Sequence, residues 1–527
     1  MAAAWVDKYE MLSRAYEASP DDRSIALKFG YYLEQRDLAL EAAEVLGGYR
    51  NRKSDDDAGL RIAAASLCPP HSKNASRVKG RYAELLGRLE SLRVEESGLE
   101  PSELVGSMPI SWPYLGYSVA PLMSRLAALY RNATTTRGVA PRARRRARAV
   151  GPKIGVVAEL GLNTSPGMLF EKVFLGLCGR FETYIIAPTT LDTPFLNIAR
   201  RAAIAVDAVP SDLDVLVYLA LGLSSATWTL AMSRLAPVQI VFGHGHPITS
   251  GLDTVDYFVS SVEFQRARYA GDDRDEDEPR NPDEYDAAAA RAAGIDVVAP
   301  VEAVGPRCRD GLQAYAEQLV LFDSRTIGIE PPAVVSRVEP PRTDSPVFAC
   351  LQHSKKFHPD FDLVLRAVLE AVPDAKILVL EGTRRAHLER WTLSLGEAVD
   401  RLVFVPRTTR SEILTLVASA DAFLDTFPWG AGLTLLESLA VCTPPVILPA
   451  NTTVLQLGLG HLRAAGLEED LVARDIPHFA SIARRLATDA TFRIAMRRRA
   501  CASRAAIFDE KPAIEEWAAF IARVVRG

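Results

Sequence analysis

The stretch Asp425-Thr-Phe-Pro-Trp-Gly430-Ala-Gly432-Leu433-Thr434-Leu-Leu-Glu437-Ser-Leu-Ala-Val-Cys-Thr-Pro-Pro445 decides the fold. The apolar Ala422-Phe-Leu before it predicts a buried strand, and Leu435, Leu436, Leu439 and Ala440 recur at helical spacing after it. Gly430 and Gly432 therefore fall at a strand-to-helix turn. Open backbone N–H groups and the positive end of the helix dipole favour a phosphate there, and glycines let a ligand reach the main chain. Thr434 adds a hydroxyl, and Glu437 adds one carboxylate a turn into the helix. Glycine also serves ordinary βα turns for steric reasons, so the meaning of this turn depends on its surroundings.

Those surroundings alternate β-branched runs with helical patterns. Ile154-Gly-Val-Val, Thr183-Tyr-Ile-Ile, Leu213 to Leu219, Val238-Gln-Ile-Val-Phe and Asp256-Tyr-Phe-Val form one series. Val347-Phe-Ala-Cys, Ile377-Leu-Val-Leu, Leu402-Val-Phe-Val, Ala422-Phe-Leu and Pro445-Val-Ile-Leu form a second. Such alternation predicts an α/β chain with two doubly wound, Rossmann-like domains, at residues 153–330 and 346–505, joined by a Pro-rich linker at 331–345. In open sheets of this kind ligands bind beyond the carboxyl ends of the strands, which is where the glycine turn falls. Residues 1–135 carry Ala, Leu, Glu, Arg and Tyr at helical spacing and predict an all-α domain. Ala15 to Gly48 is faintly like one tetratricopeptide unit, but no second copy follows at a fixed period, so a single helical hairpin is expected. Residues 136–152 hold a basic linker, and Asp272 to Glu284 an acidic insertion that reads as a surface loop, with nothing to order its carboxylates around a metal. A terminal helix in 506–527 is expected to pack back over the domains.

Composition narrows the function. The 527 residues carry 61 Lys and Arg against 66 Asp and Glu, a net charge of −5, which gives no global attraction to nucleic acid or to an anionic membrane. An anionic ligand must then be met locally. Met1-Ala-Ala-Ala-Trp-Val-Asp-Lys lacks a basic segment followed by an apolar one, and no run of 18 apolar residues occurs, so a cytoplasmic protein is expected, or a nucleocytoplasmic one if eukaryotic. The six cysteines are far apart, with no C-x-x-C pair, which predicts reduced, mostly buried thiols rather than a zinc site or disulfide framework.

Three segments in this order resemble the O-GlcNAc transferase family and the related cytoplasmic bacterial adhesin N-glucosyltransferases. They are Leu235-Ala-Pro-Val-Gln-Ile-Val-Phe-Gly-His-Gly-His246-Pro-Ile-Thr-Ser-Gly251 with Asp256-Tyr, Gln352-His-Ser-Lys-Lys356-Phe-His-Pro359, and Arg401 through Pro445. The resemblance implies a GT-B fold and an inverting, metal-independent glycosyltransferase. Its donor would be a UDP-sugar held by the C-terminal domain, with no cofactor, and its acceptor a polypeptide Ser/Thr or Asn side chain entering from the N-terminal domain. It also implies roles for single residues. Lys356 would neutralise the leaving diphosphate, Gly430, Gly432, Leu433 and Thr434 would line it, Glu437 would bind the ribose hydroxyls, and Arg407 and Thr408 would meet the uracil edge. The family's G-H-T-T run stands here as Ala431-Gly-Leu-Thr434, its usual ribose-binding Asp is Glu437, its loop histidine corresponds to about Thr164, and Ile413 occupies another nucleoside position.

His246 is the candidate base, or acceptor orienter, because imidazole titrates near neutrality and this one lies in a glycine-rich turn at a strand end. His244 and His246 have no third ligand at metal spacing, and Asp212-Leu-Asp214 reads as a helix-to-strand turn rather than a metal-binding D-x-D. Two other functions fit the same sequence: a GT-B transferase acting on a small molecule or glycan, and an inactive nucleotide-sugar-binding scaffold.

Overall fold

The computed structural model describes residues 151–158, 165–187, 199, 201–206, 208–223, 225–245, 248–264, 315–332, 345–406, 408–449 and 457–526, together with 11–20, 120–135 and single positions at 22, 25, 26, 29 and 45. Seven strands, β1 (Lys153–Val157), β2 (Glu182–Ile186), β3 (Ile204–Val206), β4 (Val215–Tyr218), β5 (Val238–Phe242), β6 (Tyr257–Ser261) and β7 (Gln318–Phe322), make a parallel sheet in the order β3-β2-β1-β4-β5-β6-β7. Five more, β8 (Val347–Ala349), β9 (Lys376–Leu380), β10 (Leu402–Val405), β11 (Ala422–Leu424) and β12 (Pro445–Val446), make a second parallel sheet in the order β10-β9-β8-β11-β12.

Both sheets follow from their sequences. Parallel strands are covered on both faces and read as unbroken apolar runs, as Val215-Leu-Val-Tyr does with all four residues buried. Register is carried by carboxylates as well: Asp214 Oδ2 accepts from Lys153 N at 2.9 Å, and Asp421 Oδ2 from Val347 N at 2.8 Å, so each ties the entry of one strand to its neighbour. Asp212 bonds Lys153 Nζ at 2.9 Å, so the two aspartates of the D-x-D serve the strand entry. Two edge strands, β3 and β7, were not among the sequence-derived ones. Ile204-Ala-Val is three residues long and part-exposed, and an edge strand that faces solvent has no need of the buried apolar signature.

The helices that matter for the site are α1 (Ala120–Thr135), α2 (Ser165–Cys178), α3 (Pro359–Ala371), α4 (Glu381–Leu395), α5 (Arg410–Ser419), α6 (Leu433–Ala440), α7 (Leu457–Ala464), α8 (Ala490–Ile507) and α9 (Lys511–Arg526). α9 lies against α2 of the first sheet. Its Trp517 is fully buried, meets Phe170 and Phe322 edge-on, and donates from Nε1 to Thr326 O at 2.9 Å. α8 packs on α6 of the second sheet, where buried Arg497 donates to Ala418 O and Ala420 O. Among the described residues of the N-terminal region, 11–18 are helical, and the Tyr16 ring lies 5.8 Å from that of Phe29 and its hydroxyl donates to Val45 O. The rest of the expected helical domain, the basic linker and the acidic insertion lie outside the described residues, and no described helix is long and apolar enough to cross a membrane.

The thiols differ from expectation. Cys442, just past α6, is bonded to Cys501 of α8 across 59 residues of sequence, with Cα atoms 4.7 Å apart, inside the normal range for a disulfide. Only the packing of α8 on α6 brings the two together, which spacing along the chain does not reveal. Cys178 and Cys350 are free thiols, half-buried and buried.

Candidate functional site

The order β10-β9-β8-β11-β12 reverses direction between β8 and β11. At such a switch point the connections leave their neighbouring strands in opposite directions and open a crevice at the carboxyl ends. The connection after β8 carries Gln352 and Lys356; that after β11 carries Asp425 to Gly432 and leads into α6. Lys356 Nζ donates to Gln352 Oε1 at 2.9 Å and to Gly430 O at 3.1 Å, so it spans the crevice and keeps a third N–H. Gln352 Nε2 donates to Thr434 Oγ1 at 2.9 Å, which leaves the threonine its own proton to give. Lys356 and the Gly430 to Thr434 turn, at least 74 residues apart in sequence, thus meet across the crevice, and Gln352, to which sequence reading gave no role, links Lys356 to Thr434.

Lys356 is positioned from below. Ser354–Lys356 is one 3-10 turn, capped by His353 Nδ1 accepting from Lys355 N, and Pro359 begins α3 with the fixed φ a first helical turn accepts. Arg390 of α4 donates to Phe357 O at 2.8 Å, and His387 Nε2 contacts Ser354 O at 2.9 Å. Arg390 is itself held by a two-point pair with buried Asp362 (2.7 and 2.9 Å), whose Oδ1 also accepts from Trp391 Nε1 at 2.9 Å.

Beneath the glycine turn lies Asp425, a second residue that sequence reading passed over. Its Oδ1 accepts from Thr426 N at 2.9 Å and Ala431 N at 2.7 Å, and Thr426 Oγ1 donates to Trp429 O at 2.8 Å, so the loop is folded around the carboxylate. A Cβ on Gly430 would sit 2.7 Å from Asp425 Oδ2, which is why the turn needs glycine there. Gly432 caps α6, its carbonyl accepting from Leu435 N and Leu436 N at 3.2 Å. Burial pushes Asp425 up to about 7, against the pull of Lys356 and the two N–H groups, and burial brings Lys356 down to about 8, against the pull of Asp425.

Glu437 is buried one turn into α6, and its Oε1 lies 2.5 Å from Nε of the half-exposed Arg410 at the start of α5. Burial raises the Glu437 carboxyl; the arginine opposes that shift. Arg410 is a third residue the sequence reading missed, since its partner is 27 positions away. Thr408 is exposed, and its hydroxyl and the Thr409 capping box both engage Glu412. Ile413 lies a turn further along α5 and is part-buried. Arg407, His246 and Thr164 lie outside the described residues.

The first motif is used largely for structure. Gln239 accepts from Leu235 N and donates to Thr254 O, and Asp256 Oδ2 accepts from Gln239 N at 2.8 Å and lies 2.5 Å from Arg234 Nη1. In Gly243-His-Gly, a Cβ on Gly245 would fall 1.6 Å from Leu219 O, so only glycine brings this turn against the end of β4. His244 is buried, with Nδ1 3.2 Å from Thr326 Oγ1 and its ring edge-on to Phe264 at 4.3 Å. Phe264 fills the space over Gly460 of α7, and His461 stands 6.2 Å from His244. Burial drives both histidines below their ordinary range, His244 to about 3. They are neutral packing elements where the two sheets' connections meet. Among the described residues no three His, Cys, Asp or Glu side chains are grouped as for a metal.

Residues 340–515, which hold the whole crevice, match the model of glycosyl transferase family 41. No curated protein sequence matches the chain. Over 99% of its length the chain superposes on 94% of a mutant O-GlcNAc transferase of Thermobaculum terrenum, with a TM-score of 0.72 at 18% identity, so the two share a fold. Looser likenesses join it to Anabaena HepE solved with UDP and glucose (TM-score 0.42, 10% identity, 71% of this chain and 100% of that one) and to the pneumococcal O-GlcNAc transferase GtfA with UDP and GlcNAc (0.31, 13%, 60% and 57%). The resemblance read from the motifs therefore holds: the C-terminal part of the chain is that of a family 41 glycosyltransferase, on the GT-B frame of two parallel sheets.

Proposed function

We propose that this chain, with its family 41 C-terminal domain, is an inverting, metal-independent transferase that moves a hexose or N-acetylhexosamine from a UDP-sugar to protein Ser/Thr or Asn side chains. The observation that carries the reading is the convergence of Lys356, Gln352, Thr434 and the Gly430–Gly432 turn at the switch point of the second sheet. In the transfer, an acceptor oxygen or nitrogen attacks the anomeric carbon from the face opposite UDP, the bond to the β-phosphate oxygen breaks, and negative charge builds on the diphosphate. Groups fixed before the reaction stabilise that charge best. The Lys356 ammonium, the Thr434 hydroxyl and the N–H groups at the start of α6 are such groups, and together they offer the charge compensation a divalent cation would otherwise supply. Glu437 accepts from the ribose hydroxyls through the oxygen not engaged by Arg410. By the family resemblance, Arg407 and Thr408 are assigned to the uracil edge, and His246 to the acceptor as base or orienter.

Calorimetric titration with UDP, followed by a UDP-sugar panel with mixed acceptor peptides and intact-mass readout in excess EDTA, tests the reading. A mass increase of one sugar on peptide is expected, and Lys356→Met should weaken UDP binding at least tenfold. Absence of UDP and UDP-sugar binding refutes the donor assignment. Transfer only to non-peptide acceptors moves the function to a small-molecule or glycan transferase, and binding without transfer or hydrolysis makes the chain a scaffold.

A further inference from the structure

Asp425 is an unusual group to find under a site for an anion. It is a carboxylate with 3% of its surface exposed, at the end of β11, on the protein side of the loop whose outer side faces the crevice. One oxygen is committed to Thr426 N and Ala431 N. The other lies close to the main chain of two glycines: a Cβ would come within 2.7 Å of it on Gly430, too close to fit without a shift, and within 3.3 Å on Gly458, a tight contact. Lys356 is the cation that bears on it, and the Lys356 amine spends its own hydrogen bonds on Gln352 Oε1 and Gly430 O rather than on the carboxylate. Among the described residues the remaining titratable neighbour is the buried Cys350 thiol at the end of β8, which burial and the Asp425 charge keep protonated.

The carboxylate's ionised form therefore depends on one lysine that faces the crevice. A diphosphate seated there brings negative charge to that same ammonium. The field that compensated Asp425 is then shared with a ligand of its own sign, only the thickness of the loop away, and a carboxylate with 3% of its surface exposed has little solvent to replace it. From this geometry we infer that Asp425 takes up a proton when a nucleoside diphosphate engages Lys356, so that donor binding and protonation of the buried carboxylate are one coupled step. The proton comes from solvent and returns to it when the diphosphate leaves. Because Asp425 in the empty site titrates at about 7, the coupling operates in the neutral range.

Asp425 is thus a positioning residue with two tasks. Its Oδ1 shapes the loop in either protonation state, since a neutral carboxyl still accepts through one oxygen. Its charge in the empty site keeps the Lys356 ammonium protonated until the diphosphate arrives. The inference rests on the UDP-sugar reading above and deepens it, adding a proton to the binding equilibrium.

The test is calorimetric titration of UDP-N-acetylglucosamine, with UDP-glucose in parallel, at pH 6 and pH 8 in buffers of different ionisation enthalpy, which counts protons exchanged on binding. These donors are esterified at both ends of the diphosphate and have no proton of their own to exchange there. The wild type is expected to take up a fraction of a proton approaching about one at pH 8, and much less at pH 6, where the pair is already protonated. Lys356→Arg carries a cation that does not titrate, so uptake that persists in it belongs to Asp425; adding Asp425→Asn, which keeps the Oδ1 acceptor, should abolish it. If Lys356→Arg does not bind, Asp425→Asn alone must take up fewer protons at pH 8 than the wild type. Binding without proton uptake at pH 8, or equal uptake with and without Asp425, overturns the inference. Absence of binding to either donor overturns the functional reading instead.

Discussion

Replacing Asp362 by Leu should undo the support of Lys356 from a distance. Asp362 and Arg390 are 4% and 6% exposed, and they meet in a two-point pair to which Trp391 Nε1 also donates. Water does not screen such a pair, so no surface discount applies. Removing one partner of a buried, hydrogen-bonded pair costs about 3–5 kcal/mol, because the other charge is left without compensation. For a domain of this size that is a fall in Tm of roughly 6–20 °C. Scanning calorimetry of the two proteins reads it directly, and titration with UDP at 20 °C, well below the transition, should also weaken, because Arg390 holds Phe357 O one residue beyond Lys356. The double variant Asp362→Leu with Arg390→Met removes both charges and should recover much of the stability, since an apolar pair of similar volume is often as stable as the ions it replaces. A loss below about 1 kcal/mol in the single variant, or a double variant as costly as the sum of its parts, refutes the reasoning.

Other consequences are equally direct. In Arg410→Ala the Glu437 carboxyl, already raised by burial, loses the cation that opposes the shift; UDP binding should then weaken as pH falls, several-fold at pH 6 and little at pH 8, and a pH-independent loss would mean the arginine contacts the ligand itself. Neutral, buried His244 and His461 stabilise the fold only while unprotonated: with His244 lowered to about 3, the unfolded chain takes the proton first as pH falls below its ordinary value. That is up to about 2 kcal/mol for His244 between pH 7 and pH 5, measurable by urea unfolding, with a flatter pH dependence in His244→Leu. Cys501→Ser should cost about 2–4 kcal/mol under oxidising conditions and nothing under reduction, and peptide mapping without reductant should recover Cys442 linked to Cys501.

Much was legible in the sequence because the physics involved is local. Apolar runs such as Val215-Leu-Val-Tyr announce strands covered on both faces, and Gly430 and Gly432 announce a turn open to a ligand. The motifs around Lys356 and Thr434 carried the family. What stayed hidden was everything set by distance in space: Gln352 reaching Thr434, Arg410 reaching Glu437, Cys442 meeting Cys501, and His244 closing against Phe264.

The division has a physical origin. Backbone preference and hydrophobic period act over a few residues, so the sequence by itself determined two parallel sheets and the turn from Asp425 to Thr434. Strand order is a global property, and it alone set β8 beside β11, so that a lysine and a glycine turn 74 residues apart share one crevice. Burial, which no linear reading measures, then pushed Asp425 up to about 7 and Lys356 down to about 8.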